Sequence, residues 1–178
     1  MDRNEETALI ARVRSYHDRH AFGRLVAEYQ SPIRRFLLAQ THGNGQLADD
    51  LAQDTFVKAY THIDSFQGRS AFSTWLFRIA YNVHYDYVRV HHTTTDLDTP
   101  QALHTPSRHD NTALRLDLQD ALDILTPNER TCITLQLMEG QPILQIAQIT
   151  GIPENTIKSY LARGKHKMAA FLRANGYK

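Results

Sequence analysis

Glycine and proline almost never interrupt the apolar periodic stretches of this chain, and few of its segments alternate with period two. A backbone without breakers, whose apolar residues recur every three or four positions, buries its hydrophobic side as helices. An all-α fold without strands is therefore predicted. The clearest case is FSTWLFRIAYNVHYDYVR, residues 72 to 89, which holds Phe72, Trp75, Phe77, Tyr81, Tyr85 and Tyr87. One apolar stripe is enough to dock a helix on a core, so some of these aromatics are left over.

Breaks are expected at Ser31-Pro32, at His42 to Gly45 and at Phe66 to Ser70, which marks out four N-terminal helices. Residues 93 to 112 lose the apolar period and gain Thr, Pro, Asp and His, the composition of a flexible linker. Two small helical domains are thus predicted, 1–92 and 113–178. After the linker Leu114, Leu118, Leu122 and Leu125 recur at helical spacing. Thr126 with Glu129 then forms a capping box.

At 178 residues and 42% hydrophobic, the chain can bury at least one core. No run approaches the roughly 20 apolar residues of a membrane span, and Met1 is followed by Asp2, Glu5 and Glu6 rather than a basic leader. A cytoplasmic location without membrane insertion is expected. Cys132, alone in an apolar pattern, reads as a packed thiol.

The net charge of +1 conceals segregation. From Lys158 onward come Arg163, Lys165, Lys167, Arg173 and Lys178 with no acidic residue, whereas Asp117, Asp120, Asp123, Glu129, Glu139 and Glu154 precede them. A basic end suits a polyanion or, equally, a solvated helix. Residues 141 to 167 have the layout of a helix-turn-helix. Ala147 is small where the helices cross, Gly151 suits the turn, and Pro153 starts the second helix. Ile146, Ile152, Ile157 and Leu161 fill the shared core. This arrangement turns Asn155, Lys158, Ser159, Ala162 and Arg163 outward, on a face suited to bases and phosphates. A plain helical hairpin is the bland alternative.

On a wheel, Phe72, Leu76, Ile79, Val83, Tyr87 and Val90 form the core stripe of residues 72 to 90. Thr74, Arg78, Tyr81, Asn82, Tyr85 and Arg89 form a second stripe of guanidinium, amide and phenol groups. Such a stripe can hold phosphates and stack on unpaired bases; its tyrosines can equally cap a large core with their hydroxyls in water. The preceding helix is expected to bury Ala48, Ala52, Phe56 and Ile63 and to present Asp50, Gln53, Asp54 and Val57. Asp50 and Asp54 are an i,i+4 like-charge pair that a basic partner would relieve, though the helix start also favours anions.

Three motifs, in order and spanning nearly the whole chain, resemble those of the extracytoplasmic-function (ECF) sigma factors, the small members of the sigma-seventy family. ADDLAQDTF resembles the polymerase-binding helix at Ala48, Asp50, Leu51, Gln53 and Phe56. FSTWLFRIAYNVHYDYVR resembles the promoter-melting helix at Phe72, Thr74, Trp75, Leu76, Arg78, Ile79, Ala80, Asn82, Asp86 and Arg89. IAQITGIPENTIKSYLARGK resembles the minus-thirty-five-reading helix-turn-helix at Ile146, Ala147, Gly151, Ile152, Thr156, Ile157, Lys158, Ser159, Leu161 and Arg163.

The resemblance implies that Asp50, Gln53, Asp54 and Phe56 dock on core RNA polymerase. It implies that Gln67, Gly68, Arg69 and Ser70, with Thr74, Trp75, Arg78, Tyr81, Asn82, Tyr85 and Arg89, capture and melt the minus-ten element of promoter DNA. Asn155, Thr156, Lys158, Ser159, Ala162, Arg163 and Lys165 would read the minus-thirty-five element. An anti-sigma factor is the further partner implied. No enzyme activity, cofactor, metal or small-molecule substrate is expected. Tyr81, Val90 and Tyr160 depart from basic residues common in the family, so fewer phosphate contacts are expected there, and Pro142 and Gln145 depart from the usual capping pair of the first motif helix.

Three other readings compete. His17 with His20, or His91 and His92 with His104 and His109, could gather on zinc. A conventional helix-turn-helix regulator would form a homodimer and bind duplex without polymerase. An adaptor using only the acidic helix would leave the basic end without a role.

Overall fold

The computed structural model describes residues 1–94 and 112–177, without the side chains of 92–94 and 112–116. Eight α-helices and no strand are found among the described residues: α1 (Arg3–Tyr16), α2 (Arg19–Gln40), α3 (Gly45–Thr61), α4 (Phe72–Thr94), α5 (Thr112–Asp123), α6 (Pro127–Ile133), α7 (Ile143–Thr150) and α8 (Glu154–Ala174). A 3-10 turn (Ile63–Ser65) follows α3, and a single π turn (Thr134–Met138) extends α6. Most of the expected linker, with Leu114, lies outside the described residues or side chains.

Four helices do occupy the N-terminal half, but one boundary differs from expectation. Ser31-Pro32 lies inside α2. An interior proline forfeits the hydrogen bond to the Glu28 carbonyl and costs about 3 kcal/mol. Ala21 and Leu25 before it, and Ile33, Phe36 and Leu37 after it, are all at most 1% exposed. Each large apolar side chain so buried contributes about 1.5–3 kcal/mol, which outweighs the proline. The chain breaks instead at His17, in the left-handed region (φ 50°), where Asp18 accepts hydrogen bonds from the His20 and Ala21 amides, both at 3.0 Å.

The first core forms where α2 packs on α1 and α3, and α3 on α4. Phe36 meets Phe77 edge-on at 5.7 Å. In the C-terminal half the capping box is present: Thr126 N–H donates to Glu129 Oε2 at 3.1 Å, and Glu129 N–H donates to Thr126 Oγ1 at 3.4 Å. Leu122 and Leu125 are buried as expected, Leu118 is 39% exposed, and Ala121 takes the remaining inward position. Cys132 is fully buried, and burial pushes its thiol up to about 11. It is a packed side chain, held as the thiol at neutral pH.

The two halves pack together, α4 on α7 and α2 on α6 and the π turn. Their buried residues join in one core cluster. α4 buries two flanks rather than one: Phe72, Leu76 and Val83 as the wheel suggests, but also Thr74, Ala80 and Phe77, the last against Phe36 of α2. Val90, placed on the core stripe by the wheel, is 54% exposed.

Two glycines give opposite expectations. A Cβ on Gly164, where α8 crosses α6, would lie 2.7 Å from Ile133 Cγ1. Gly164→Ala should therefore lower the melting temperature, overpacking costing about 1–3 kcal/mol against about 1 kcal/mol gained in helix propensity. Gly23, inside α2, has nothing within 4 Å of such a Cβ, so Gly23→Ala should stabilise by about 0.5–1 kcal/mol. Thermal melts of the two variants check both signs.

Candidate polymerase and nucleic-acid interfaces

α3 is amphipathic as expected. Ala48, Ala52 and the following Ile63 are buried, while Asp50, Gln53 and Asp54 are exposed. Arg34 is spoken for by Asp49 at 2.5 Å, and no ion pair with Asp50 or Asp54 is seen among the described residues. Phe56 is only half-buried. With Arg19, Phe22, Val26, Gln53, Val57 and Tyr60 it lines an apolar cavity of about 440 Å³. Phe22 and Tyr60 form its wall at 5.0 Å between ring centroids, and the Tyr60 hydroxyl donates to the His17 carbonyl at 3.0 Å. Val57 is 56% exposed at the rim. The surface thus combines an apolar recess with an unpaired acidic edge, the chemistry for gripping a helix with basic side chains.

The expected minus-ten residues divide into three groups. Gln67, Gly68 and Arg69 are exposed and Ser70 is half-buried, in a loop where Gly68 adopts φ 69°. Arg78, Asn82, Tyr85 and Arg89 are exposed along α4, Tyr85 by 58%. The others are less accessible. Trp75 packs on Phe66 and Phe72, at 5.5 and 5.4 Å. Tyr81 is half-buried in a stack with Tyr85 and lies near Cys132. Thr74 is only 2% exposed, on a helix packed against α2, α3 and α7, so the wheel's placement of Thr74 on an open stripe is corrected.

Beside the open stripe is a recess of about 230 Å³ lined by Lys58, His62, Ser65, Trp75, Ile79 and Asn82. It is smaller than the roughly 300–1,000 Å³ of sites for drug-sized ligands, and it joins an aromatic wall to an ammonium, an imidazole and an amide. His62 Nδ1 lies 3.0 Å from the Lys58 carbonyl, which can only accept, so Nδ1 is the donor there. Lys58 and His62 were missed because they belong to α3 and its end. Nothing in one sequence says that they meet Asn82 across two helices.

The helix-turn-helix forms as expected. Gly151 takes φ 75° and its amide closes α7 onto the Ala147 carbonyl at 2.8 Å. Pro142 caps α7 with its backbone alone, in keeping with the departure from the family's capping residues. Ile157 and Leu161 are buried, while Asn155, Lys158, Ser159, Ala162, Arg163 and Lys165 are exposed and Thr156 is half-buried.

The basic end is less bare than its sequence suggests. Glu129, 3% exposed at its side chain, binds Lys167 at 2.8 Å and Arg163 at 3.5 Å. Arg163 also lies over the Tyr160 ring at 5.2 Å, and the Tyr160 hydroxyl accepts from Asn128 at 3.2 Å. Tyr160, where arginine is common in the family, therefore orients the neighbouring arginine. Burial works to raise the Glu129 carboxyl, but hydrogen bonds from Lys167 and Thr126 hold it below the usual carboxylate range.

Of the histidines proposed for zinc, His104, His109 and the side chain of His92 lie outside the described residues. Among the described residues no three His, Cys, Asp or Glu side chains gather closely enough to hold a metal. No described helix is long and apolar enough to cross a membrane.

Comparison with known proteins places both halves. The family described as Sigma-70 region 2 matches residues 25–93, and that described as Sigma-70, region 4 matches residues 115–168. The ECF RNA polymerase sigma-E factor of Haemophilus influenzae is 31% identical over 175 residues, covering 90% of this chain and 91% of that one. The chain belongs to the ECF group of the sigma-70 family. The ECF sigma factor SigW of Bacillus subtilis is 30% identical, with 88% and 91% covered. Among solved structures, CnrH in complex with the cytosolic domain of CnrY matches with a TM-score of 0.75 at 25% identity, over 97% of this chain and 99% of that one. The sigma factor RpoE of Bartonella quintana, in complex with the anti-sigma factor NepR, gives 0.75 at 26% identity, over 85% and 96%.

Because the folded Glu129 carboxyl titrates below its ordinary value, its contribution is present above about pH 4.5 and lost as pH falls through the folded value. Glu129→Gln should cost about 1–3 kcal/mol at pH 7 and distinctly less at pH 3. Urea denaturation of both proteins at the two pH values measures the difference.

Proposed function

We propose that this ECF sigma factor docks on core RNA polymerase through the acidic edge and apolar recess of α3, and melts promoters with the open stripe of α4. The observation that carries this reading is the pairing of unneutralised Asp50 and Asp54 with a recess lined by Phe56 and Val57. On α4, Arg78 and Arg89 would hold phosphates. Trp75, Asn82, Lys58 and His62 would receive an unstacked base of the minus-ten element, since a ring and hydrogen-bonding groups meet there. Asn155, Lys158, Ser159 and Arg163 would meet the minus-thirty-five duplex in the major groove. Every step is binding: the strands separate because unpaired bases bind better than paired ones, and no residue performs a covalent step. The protein acts where the polymerase is, in the cytoplasm.

An anti-sigma factor is the proposed regulator, supported by the NepR complex of the Bartonella relative, and an envelope or stress signal is the proposed trigger. Such a partner would cover the α3 recess or the α4 stripe.

Asp50→Arg should weaken binding to fluorescently labelled core polymerase at least tenfold while leaving the far-ultraviolet circular dichroism unchanged. An unchanged affinity would remove α3 as the docking surface. Tyr85→Ala should leave core binding intact yet destabilise the open complex by about 1–3 kcal/mol, the worth of one stacked base, read as a shorter half-life against competitor DNA.

A further inference from the structure

The first turn of α6 reaches the outward face of α8. Asn128 Nδ2 donates to the Tyr160 hydroxyl at 3.2 Å, and the Tyr160 ring faces the Arg163 guanidinium, its centroid 5.2 Å from Cζ. Glu129, the next residue of α6, brings Oε1 to 3.5 Å from Arg163 Nε. Two consecutive side chains of one helix therefore hold the same arginine, Glu129 directly and Asn128 through a phenol. Glu129 is itself fixed: its Oε2 accepts from the Thr126 N–H at 3.1 Å and from Lys167 Nζ at 2.8 Å, which leaves Oε1 to Arg163.

The helix crossing beneath these contacts is tight. Gly164, the residue after Arg163, lies where a Cβ would stand 2.7 Å from Ile133 Cγ1 of α6. Tyr160 and Arg163 are three residues apart and so are neighbours on one face of α8. A guanidinium within about 6 Å of a ring centroid is attracted to the ring face, and the hydrogen bond from Asn128 restrains the oxygen at the far end of that ring.

Arg163 is the exception among the outward residues of α8. Asn155, Lys158, Ser159 and Lys165 are exposed beside it, and among the described residues no hydrogen bond, ion pair or ring contact from another helix reaches them. Ser159 donates to the Asn155 carbonyl of its own helix at 3.1 Å. Contact at Nε leaves both Nη groups of Arg163 without a hydrogen bond among the described residues, and its side chain is 59% exposed. Those two groups can donate in parallel to a base edge that carries two acceptors.

We propose that Asn128 and Tyr160 are positioning residues that set how sharply Arg163 discriminates between bases. The proposal rests on the minus-thirty-five reading of α8 given above. An arginine on a free side chain that meets a wrong base turns to a nearby phosphate and keeps part of its binding. Arg163, held by a carboxylate and by a ring, has fewer directions to turn, so a wrong base leaves its Nη groups unpaired. It also has less rotamer freedom to lose on meeting the right one, worth about twofold to tenfold in affinity for one immobilised side chain. Asn128 belongs to α6 and acts only through the ring.

The test uses the full chain bound to core polymerase and a promoter duplex in which each minus-thirty-five base pair is substituted in turn, and reads the ratio of matched to substituted affinity. Arg163→Ala identifies the positions that this arginine discriminates. At those positions Asn128→Ala and Tyr160→Phe, the latter keeping the ring, should each lower the ratio by about twofold to tenfold and leave the ratios elsewhere unchanged. Tyr160→Arg, which replaces the ring with a second cation, should steepen the salt dependence of binding by about one unit of log–log slope while lowering the same ratios. A role in stability alone would weaken binding evenly, so an even loss in Asn128→Ala and Tyr160→Phe overturns the proposal. So do unchanged ratios in these two variants when Arg163→Ala is relaxed, an outcome that leaves the minus-thirty-five reading standing. Arg163→Ala without effect at any position overturns both the proposal and that reading of Arg163.

Discussion

The edge-on contact of Phe36 with Phe77 pins α4 against α2, and most of what this protein does follows from where that contact leaves the rest of α4. With Phe77 inward, Phe72, Leu76, Ala80 and Val83 complete the core, and Arg78, Asn82, Tyr85 and Arg89 have no inward direction left. The aromatics in excess of a single stripe are then accounted for. Trp75 walls the recess shared with Lys58 and His62, Tyr81 lies half-covered on the flank toward the C-terminal half, and Tyr85 stands in solvent. A helix with two packed flanks and one open face ties the proposed melting surface to both halves of the molecule.

Features set by near neighbours along the chain are legible in the amino-acid sequence. The Thr126–Glu129 capping box, the left-handed turn at Gly151 and the inward Ile157 and Leu161 each depend on residues within about one helical turn. Features set by long-range packing are not. Ser31-Pro32 carries a helix-start signal that burial on both sides overrides. Thr74 lies on the polar stripe by angle, yet it is buried in a helix packed on three neighbours. The recess beside Asn82 needs Lys58 and His62 from another helix, and no periodicity encodes that meeting.

Glu129 illustrates how one buried carboxylate organises the basic face of α8. It closes the cap of α6, then holds Lys167 and Arg163 of α8 from beneath. A basic face presented to DNA repels itself; an acid buried under it relieves that repulsion without occupying the outer surface. Arg163 is steadied further by Tyr160; if it meets DNA as proposed, it has less side-chain freedom to lose on binding.

The central claim is that this chain confers promoter-specific initiation on core RNA polymerase. Run-off transcription with core enzyme and promoter fragments from the host genome, with and without the protein, tests it most directly. Discrete transcripts that start only when the protein is present, and disappear when either the minus-ten or the minus-thirty-five element is scrambled, are predicted. Tight binding to those duplexes without core enzyme, accompanied by no transcript, would contradict the claim and identify a conventional helix-turn-helix regulator.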